Sequence, residues 1–162
     1  MIWRLSNRAD PHALMLADRH YSRQKPGTRQ FVAPGGCIVL LSVCGRALWV
    51  SLRQRIVKHA WPGAWACALF RNEGAGLASD LIAQALAATR SIGGNPPPAG
   101  VITFVDPDMV RRKRDPGLCF LRAGFRVVGA TRKGLIVLQM PALQVPAPIA
   151  PLGQQFTFGG AA

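Results

Sequence analysis

The stretch ALFRNEGAGLASDLIAQALAATR, residues 68–90, joins an apolar run to an amphipathic helix through a turn with two glycines. Apolar residues recur at spacings of three and four after Gly76, as in a helix with one face in the core. Glycine permits positive φ angles and close approach of a ligand to the backbone, and the start of a helix attracts anions. The stretch therefore predicts either an ordinary glycine turn or a phosphate-binding loop at Gly74 and Gly76.

The rest of the chain predicts a single mixed α/β domain. Asp10 and Pro11 predict a helix over residues 11–21, with the aspartate as N-cap and the proline in the first turn. Apolar runs on either side of Gly45 predict an antiparallel hairpin, which is followed by a strand, the long helix, a strand, a short helix and a second hairpin. We expect an α/β fold with a mostly antiparallel central sheet flanked by helices over residues 1–140. The Pro-, Ala- and Gly-rich residues 141–162 predict an irregular C-terminal tail.

Charge is the most unusual property of the composition. The 162 residues include 20 Lys and Arg but only 7 Asp and Glu, which gives a formal net charge of +13. An excess of cations, most of them Arg, is typical of proteins that bind nucleic acid, and solubility alone does not require a single sign. No apolar run reaches the roughly 20 residues of a membrane helix, and the N-terminus lacks the apolar segment of a signal peptide. We therefore expect a cytoplasmic protein with a nucleic-acid partner and no membrane contact.

The four cysteines are widely spaced and form no C-x-x-C pair. Zinc sites usually combine closely spaced cysteine and histidine ligands. All but Cys44 lie in or beside apolar runs, so we expect reduced thiols that are buried as small apolar side chains, and no bound metal.

The turn at residues 71–76 resembles the acyl-CoA pyrophosphate loop of the GNAT N-acyltransferases. Arg71, Gly74 and Gly76 match the family pattern Gln/Arg-x-x-Gly-x-Gly/Ala, and FLRAGFRVVG at residues 120–129 is similar to the family's passage from a helix to a strand. The resemblance covers residues 64–140, about half of the chain. It implies a GNAT-like fold, acyltransferase activity, and acetyl-CoA or another acyl donor as cofactor. The donor-binding residues that it implies are Arg71, Asn72, Gly74, Ala75 and Gly76.

Two residues depart from the GNAT pattern. GNAT loops usually carry a basic residue, whereas here the carboxylate of Glu73 would repel a pyrophosphate. Many GNAT enzymes use a tyrosine, five residues before the phenylalanine of the helix-to-strand passage, to protonate the leaving thiolate. That position is Phe120, which has no proton to give, and the only tyrosine of the chain is Tyr21. These departures leave open weak CoA binding, another acyl donor, or a scaffold without activity.

Three short segments are similar to the phage Mom proteins, which have GNAT-like folds and modify adenine in DNA. They are HYS at residues 20–22, NE at residues 72–73, and the aspartate at the end of VITFVD, which is Asp106. The resemblance implies that His20, Tyr21 and Asp106 are catalytic, with Asp106 orienting the amine or accepting its proton. A structural role is the alternative for each: the first two at the end of a helix, and Asp106 as the cap of the next turn.

Two basic loops and one run of charges are predicted to contact nucleic acid, although such runs are often only solvated surface. Trp61 lies in a basic loop and is suited to stack on a base, whereas Trp65 lies in a strand and is expected in the core. The predicted nucleic-acid-binding residues are Arg23, Lys25, Arg53, Arg55, Lys58, Trp61, Arg111, Arg112, Lys113 and Arg114.

Together these features predict a GNAT-like transferase that modifies an exocyclic amine of a nucleic-acid base, as in Mom-like modification of DNA adenine. A backbone N–H on a splayed central strand would polarise the carbonyl of the donor. The base would have to be single-stranded or flipped out of its duplex. Two alternatives stay open. One is an acetyl-CoA-dependent N-acetyltransferase of a small amine or a protein lysine, and the other is a non-catalytic GNAT scaffold that binds nucleic acid.

Overall fold

A computed structural model describes residues 1–53, 57, 59–110 and 115–153. In chain order its elements are β1 (Trp3–Ser6), α1 (Pro11–Asp18), β2 (Gly36–Ser42), β3 (Ala47–Arg53), β4 (Trp65–Asn72), α2 (Ala78–Gly93), β5 (Val101–Val105), α3 (Leu118–Arg122), β6 (Arg126–Ala130), β7 (Ile136–Met140) and a 3₁₀ turn (Ala142–Gln144). Seven strands form one sheet in the order β1-β2-β3-β4-β5-β7-β6. The prediction of a mixed α/β domain with a mostly antiparallel sheet is confirmed.

Helices cover both faces of the sheet. On one face α1 packs over buried side chains of the neighbouring strands, among them Val39, Leu48 and Val50. On the other face α2 and α3 enclose a larger cluster that includes Trp49 and Trp65. Each large apolar side chain that becomes fully buried contributes on the order of 1.5–3 kcal/mol. The two clusters therefore fix the helices on the sheet, and Trp65 is in the core as predicted.

The only parallel pair among the described strands, β4 with β5, determines where a ligand can bind. α2 follows β4 and returns the chain to the start of β5. Trp65 is paired with Val101 and Cys67 with Thr103, so both strands run towards the same edge of the sheet. The glycine turn and Asp106 directly follow these strands and lie at that edge. Loops after the carboxyl ends of parallel strands are the usual ligand sites of open α/β sheets.

β1 is not predicted from the sequence. Its four residues are too few, and too interrupted by polar side chains, to give a periodic signal. The strand forms because β1 pairs with β2 along its whole length. Trp3 is fully buried, and its indole N–H donates to the carbonyl of Leu81 in α2 over 3.0 Å. Tertiary contacts thus create this strand.

The first helix begins where predicted and ends earlier. The side chain of Asp10 accepts the N–H groups of His12 and Ala13, which confirms it as the N-cap. The predicted end near residue 21 is wrong, since α1 ends at Asp18. The Asp18 carboxylate accepts from Arg23 over 2.7 Å and from the N–H of Gly27 over 2.8 Å. These bonds draw the chain into a loop immediately after the helix.

Residues 141–153 pack against the domain although most of them have no regular structure. Val145 is buried, and its carbonyl accepts from Arg90 over 3.0 Å. The N–H of Leu152 donates to the carbonyl of Trp3 over 2.7 Å, and Leu152 forms a parallel bridge with Arg4. This segment therefore covers part of the outer edge of β1, which protects it from pairing with other chains.

The cysteines are free thiols. Cys67 is buried as predicted, and Cys37 and Cys119 are half-buried. Cys44, the one cysteine that the sequence places outside the apolar runs, is exposed in the turn between β2 and β3. Within the described ranges, no helix combines the length and hydropathy needed to cross a bilayer. The same residues contain no group of His, Cys, Asp and Glu that could hold a metal ion.

Candidate functional site

The central strands β4 and β5 diverge after three paired positions. Their pairing ends at Cys67, whose carbonyl accepts from the hydroxyl of Thr103 over 3.2 Å. On the other side of β4, Val50 pairs with Leu69 and the next residue of β3 pairs with Cys67, so Ala68 is a bulge. A bulged residue lies outside the regular ladder and bends its strand. An opening therefore forms between the carboxyl-terminal halves of β4 and β5.

This opening is a cavity of about 340 Å³, here called the donor cavity. Its walls come from the two strands, the start of α2, the region of α3 and the segment that follows α1. The lining residues that the following paragraphs use are His20, Tyr21, Ala68, Asn72, Leu77, Ala78, Ser79, Phe104, Phe120 and Arg122. The volume lies within the range of small-molecule sites, about 300–1,000 Å³.

The start of α2 opens into the donor cavity without a side-chain cap. Leu77 occupies the N-cap position and makes no side-chain cap hydrogen bond. Leu77, Ala78 and Ser79 all line the cavity. The first amides of a helix have no acceptor within the helix and carry partial positive charge. This end of α2 is therefore suited to bind an anion such as a phosphate.

Asn72 shapes the glycine turn between β4 and α2. Its Oδ1 accepts the N–H of Gly74 over 3.2 Å and of Ala75 over 2.9 Å, and its Nδ2 donates to the carbonyl of Gly76 over 2.9 Å. Gly74 has a φ of 86° and Gly76 a φ of 154°, which residues with a Cβ rarely adopt. The amides of Gly74 and Ala75 are thus already bonded within the turn. Four of the predicted donor-binding residues, Asn72, Gly74, Ala75 and Gly76, form this turn, and of these only Asn72 is among the residues that line the cavity.

Glu73 is bound by two arginines. Arg19 donates to its carboxylate from Nε over 2.7 Å and from Nη2 over 2.8 Å, and Arg71 donates from Nε over 2.9 Å. The hydrogen bonds from Arg19 and then from Arg71 lower the pKa of Glu73 to about 2. Arg71 also donates to the backbone carbonyl of Arg19 over 2.7 Å. Because two cations surround one anion, the cluster keeps an excess of positive charge, and the repulsion of phosphate expected from Glu73 is offset.

His20 and Tyr21 lie side by side at the donor cavity, with their rings stacked at a centroid distance of 4.4 Å. His20 Nδ1 accepts the N–H of Ser22 over 3.2 Å, so the neutral ring carries its proton on Nε2. Burial, with the nearby charge of Arg71, lowers the pKa of His20 to about 4. Burial also raises the pKa of Tyr21, which keeps its phenol protonated. Both side chains are therefore neutral near pH 7 and have a proton to donate.

Asp106 follows β5, and its backbone contacts the side chain of Tyr21. Its N–H donates to the hydroxyl of Tyr21 in a long hydrogen bond of 3.4 Å. Its Oδ1 accepts the N–H of Asp108 over 2.9 Å and of Met109 over 3.3 Å. The carboxylate thus caps the turn after β5, as the structural alternative predicts, and it is not among the residues that line the donor cavity. The geometry favours a positioning role for Asp106 over direct contact with the amine.

Phe120 forms part of the aromatic wall of the donor cavity. It is buried, and it makes edge contacts with Phe70 and Phe125 at centroid distances of 6.0 Å and 5.3 Å. Tyr21 lines the same cavity, although it is far from Phe120 in sequence. The fold therefore brings the only phenol of the chain to the same cavity as Phe120.

Two of the predicted nucleic-acid-binding arginines have partners within the protein. Arg23 donates to Asp18 and to the backbone carbonyls of Thr28 and Gln30, and it organises the loop after α1. Arg53 lies at the opposite edge of the sheet from the donor cavity. It donates to the carbonyl of Gly93 and lies over the ring of Trp65, with its guanidinium carbon 4.9 Å from the ring centroid.

The other predicted nucleic-acid-binding residues differ in exposure and packing. Lys25 is exposed in the loop after α1. Trp61 is half-buried over Gly129, where an added Cβ would lie 3.9 Å from its ring. His59 lies between Trp61 and Phe104, at centroid distances of 6.2 Å and 5.5 Å, so an aromatic row leads to the donor cavity. The predicted residues Arg55, Lys58, Arg111, Arg112, Lys113 and Arg114 lie outside the described residues.

Besides Arg19, sequence reasoning misses Arg46 beside the glycine turn and Arg122 at the donor cavity. Arg46 is exposed, and its Nη1 would lie 3.8 Å from a Cβ added at Gly74. The signal was available, because an antiparallel pairing of β3 with β4 places the turn before β3 beside the turn after β4. Arg122 lines the cavity at the end of α3, and no local pattern distinguishes it from other surface arginines.

Comparison of the chain with family models, with curated proteins and with solved structures finds no match.

Proposed function

We propose that the chain is a GNAT-like transferase that acylates an exocyclic amine of a nucleic-acid base, with DNA adenine as the favoured substrate. The observation that carries the proposal is the donor cavity between β4 and β5. An uncapped helix start, a bulged strand and a protonated tyrosine face one space of about 340 Å³. These are the parts that acyl transfer from a phosphate-bearing donor requires: an anion site, a polarising amide and a proton donor.

The donor in this proposal is acetyl-CoA or another acyl thioester. Its phosphates bind at the amides that begin α2, where the partial charge of the helix end adds to the full charges of nearby arginines. Arg122 lines the cavity, Arg46 lies beside Gly74 of the glycine turn, and Arg19 and Arg71 add the excess charge of their cluster with Glu73. The acyl carbonyl then lies at the bulge of Ala68, where a backbone N–H outside the regular ladder polarises it.

The chemistry assigned to the site is direct transfer. The amine nitrogen attacks the acyl carbon, a C–N bond forms, and the C–S bond breaks. Tyr21 gives its proton to the leaving thiolate and regains one from solvent, which takes up the proton that the amine releases. A pKa of about 4 makes His20 a poor base, so its assigned role is to hold the ring of Tyr21 by stacking.

Charge favours a nucleic-acid base over a lysine or a polyamine. A cationic acceptor needs acidic residues around it when it leaves water, because an unpaired buried charge is costly. Asp115 is the only acid among the described residues that line the donor cavity. The whole chain has a formal net charge of +13, which suits a phosphate backbone.

The test is mass spectrometry of nucleosides from the DNA and, separately, the RNA of cells that express the protein. An acylated base in DNA is expected, and the Gly76→Val variant should lack it because Val cannot easily adopt the φ of 154°. A modified base in RNA alone would change the substrate and keep the chemistry. Unmodified nucleosides together with an acetylated lysine or polyamine would contradict the proposal.

A binding module without activity is the second candidate, and one observation favours it. The amides of Gly74 and Ala75 are already bonded to Asn72, and Phe120 supplies no proton. A scaffold that has lost its donor would have both features. No acyl-CoA binding in calorimetry at millimolar ligand, together with salt-sensitive binding of DNA, would select this candidate.

A further inference from the structure

A second cavity of about 360 Å³ lies on the α1 face of the sheet, next to the donor cavity. Ala68 and Leu69 line both cavities. Ala68 is the bulged residue of β4, so the wall between the two cavities is the place where the acyl carbonyl is proposed to lie. A molecule in the second cavity is therefore adjacent to the reacting group.

The second cavity has an apolar floor and a polar rim. Val50, Leu52 and Leu69 are buried and belong to the cluster under α1, and the half-buried Phe31 packs against the same cluster. Gln24 and Gln30 are exposed residues of the loop after α1 and line the cavity from the other side. An apolar surface lined also by two carboxamides suits a planar ring that carries hydrogen-bonding groups.

The charges around the second cavity exclude a cationic acceptor. Among the described residues that line it, none is acidic and Arg23 alone is charged. The guanidinium of Arg23 is bonded to Asp18 and to Thr28, which holds it within the loop. A protonated lysine or polyamine would leave water there without a counter-charge. A neutral heteroaromatic amine needs no counter-charge, and glutamine pairs with the donor and acceptor edge of adenine.

We propose that the second cavity binds the acceptor base, a purine turned out of its DNA strand, with Phe31 against the ring and Gln24 and Gln30 at its polar edge. This inference rests on the proposed transferase function, because it assigns the acceptor to the neighbouring cavity. It extends that function by naming the residues that select the substrate.

The probe is a single-stranded oligothymidine that carries one central 2-aminopurine. Wild-type protein is expected to change the fluorescence of 2-aminopurine, because the base moves from its stack into the apolar cavity. Ala33 is exposed and lines the cavity, so Ala33→Trp should fill it and abolish the change. Gln24→Ala with Gln30→Ala should weaken binding of the probe roughly threefold to tenfold for the lost hydrogen bonds.

Matched controls lie outside the cavity. Ala9→Trp and Gln144→Ala change exposed residues of the same types and should bind the probe like wild type. Acetyl-CoA binding, measured by calorimetry, should be the same in Ala33→Trp and wild type, because the donor occupies the other cavity. If Ala33→Trp does not fold, the double glutamine variant tests the same contacts.

The outcomes separate this inference from the proposed function. Full DNA modification or an unchanged probe signal in Ala33→Trp would overturn the acceptor assignment and leave the transferase proposal standing. A probe signal that Ala33→Trp abolishes, in a protein that modifies no base, would support the cavity assignment and contradict the transferase. Loss of acetyl-CoA binding in Ala33→Trp would overturn the division into two cavities.

Discussion

The guanidinium of Arg19 and the carboxylate of Glu73 are joined by two hydrogen bonds, of 2.7 Å and 2.8 Å. Two-point pairing of this kind fixes orientation as well as distance. Arg19 directly precedes His20 and Tyr21, while Glu73 belongs to the turn that leads into α2. The pair therefore ties the segment that carries the proposed proton donor to the turn beside the proposed phosphate site.

Glu73→Gln is expected to lower turnover more than donor binding. The variant loses the charged pairing that holds Arg19, so Tyr21 is less well placed, while the released arginines still attract phosphate. Stability should fall only slightly, since both side chains of the pair are partly exposed. Steady-state kinetics should show a lower kcat with an unchanged or lower KM for acyl-CoA. As a control, Asp80→Asn removes an equal charge from the exposed first turn of α2 and should have the kcat of the wild type. A wild-type kcat in Glu73→Gln would contradict the proposed link between the Arg19–Glu73 pair and the position of Tyr21.

The Gly74→Ala variant is expected to weaken donor binding, whereas a matched glycine substitution elsewhere is not. Gly74 and Gly94 have similar φ angles, 86° and 80°, so an alanine at either should cost roughly 1–2 kcal/mol of stability. Gly94 ends α2 at the opposite edge of the sheet, whereas Gly74 lies in the turn beside Arg46. Thermal unfolding should show similar losses for the two variants. Calorimetry should show weaker acyl-CoA binding for Gly74→Ala alone, and equal affinities would contradict the proposed donor site.

Acidification is expected to destabilise the protein as His20 takes up a proton. Burial, with the charge of Arg71, lowers the pKa of His20 from 6.5 to about 4 in the folded chain. The unfolded chain binds that proton first, so the stability of the folded state is full above pH 6.5 and is lost as the pH falls towards 4. Burial also lowers the pKa of His59, which adds a slope of the same sign.

Calorimetric unfolding over this pH range measures the effect. His20→Gln should flatten the dependence of Tm on pH, because the variant has no imidazole to take up the proton. The same dependence of Tm on pH in His20→Gln and wild type would mean that burial does not keep the imidazole of His20 neutral.

The salt dependence of DNA binding is expected to distinguish exposed from internally bonded cations. The logarithm of affinity falls with the logarithm of salt by about 0.9 for each phosphate neutralised. Lys25→Glu changes an exposed residue beside the second cavity. It should make the slope shallower by about 0.9, the value for one lost phosphate contact. Arg53→Ala should reduce stability instead, because Arg53 bonds to the end of α2. Filter binding over a salt series measures both, and affinity that does not change with salt would remove nucleic acid as the partner.

The fold could largely be predicted because most elements have a local signal. The period of α2, the hairpin around Gly45 and the Asp10 cap each depend on residues that are close in sequence. β1 lacks such a signal and forms because it pairs with β2 and because Trp3 packs beneath α2. The same reason explains the early end of α1, where bonds from the following loop to Asp18 compete with the helix.

The candidate site was less predictable because its contacts join distant segments. From the sequence alone, the carboxylate of Glu73 is expected to repel phosphate. The structure shows that Arg19 is hydrogen-bonded to it. From the sequence alone, Phe120 indicates that the cavity has no tyrosine to donate a proton. The structure shows that Tyr21 lines the same cavity. Neither pairing changes the local pattern of the sequence, so only the tertiary structure reveals it.

Tyr21→Phe is expected to lower kcat by roughly 10²–10⁴, the usual contribution of a positioned acid, with little change in donor affinity. The phenol has a raised pKa because of its burial, so the wild-type rate should fall at high pH as Tyr21 loses its proton. The variant should lack that decline, because phenylalanine has no proton to lose. Rates of base modification across a pH series, with acyl-CoA binding as a check on folding, provide the measurement.

The double variant Tyr21→Phe with Phe120→Tyr tests whether the two positions serve one role. Phe120 lines the same cavity as Tyr21, so a hydroxyl there can reach the thiolate from the α3 side. We expect part of the lost rate to return, together with a decline at high pH. Phe120→Tyr alone should remain close to wild type, because it adds a second acid without removing the first. Wild-type rates in Tyr21→Phe would show that another group protonates the thiolate, and the role assigned to the only tyrosine of the chain would be wrong.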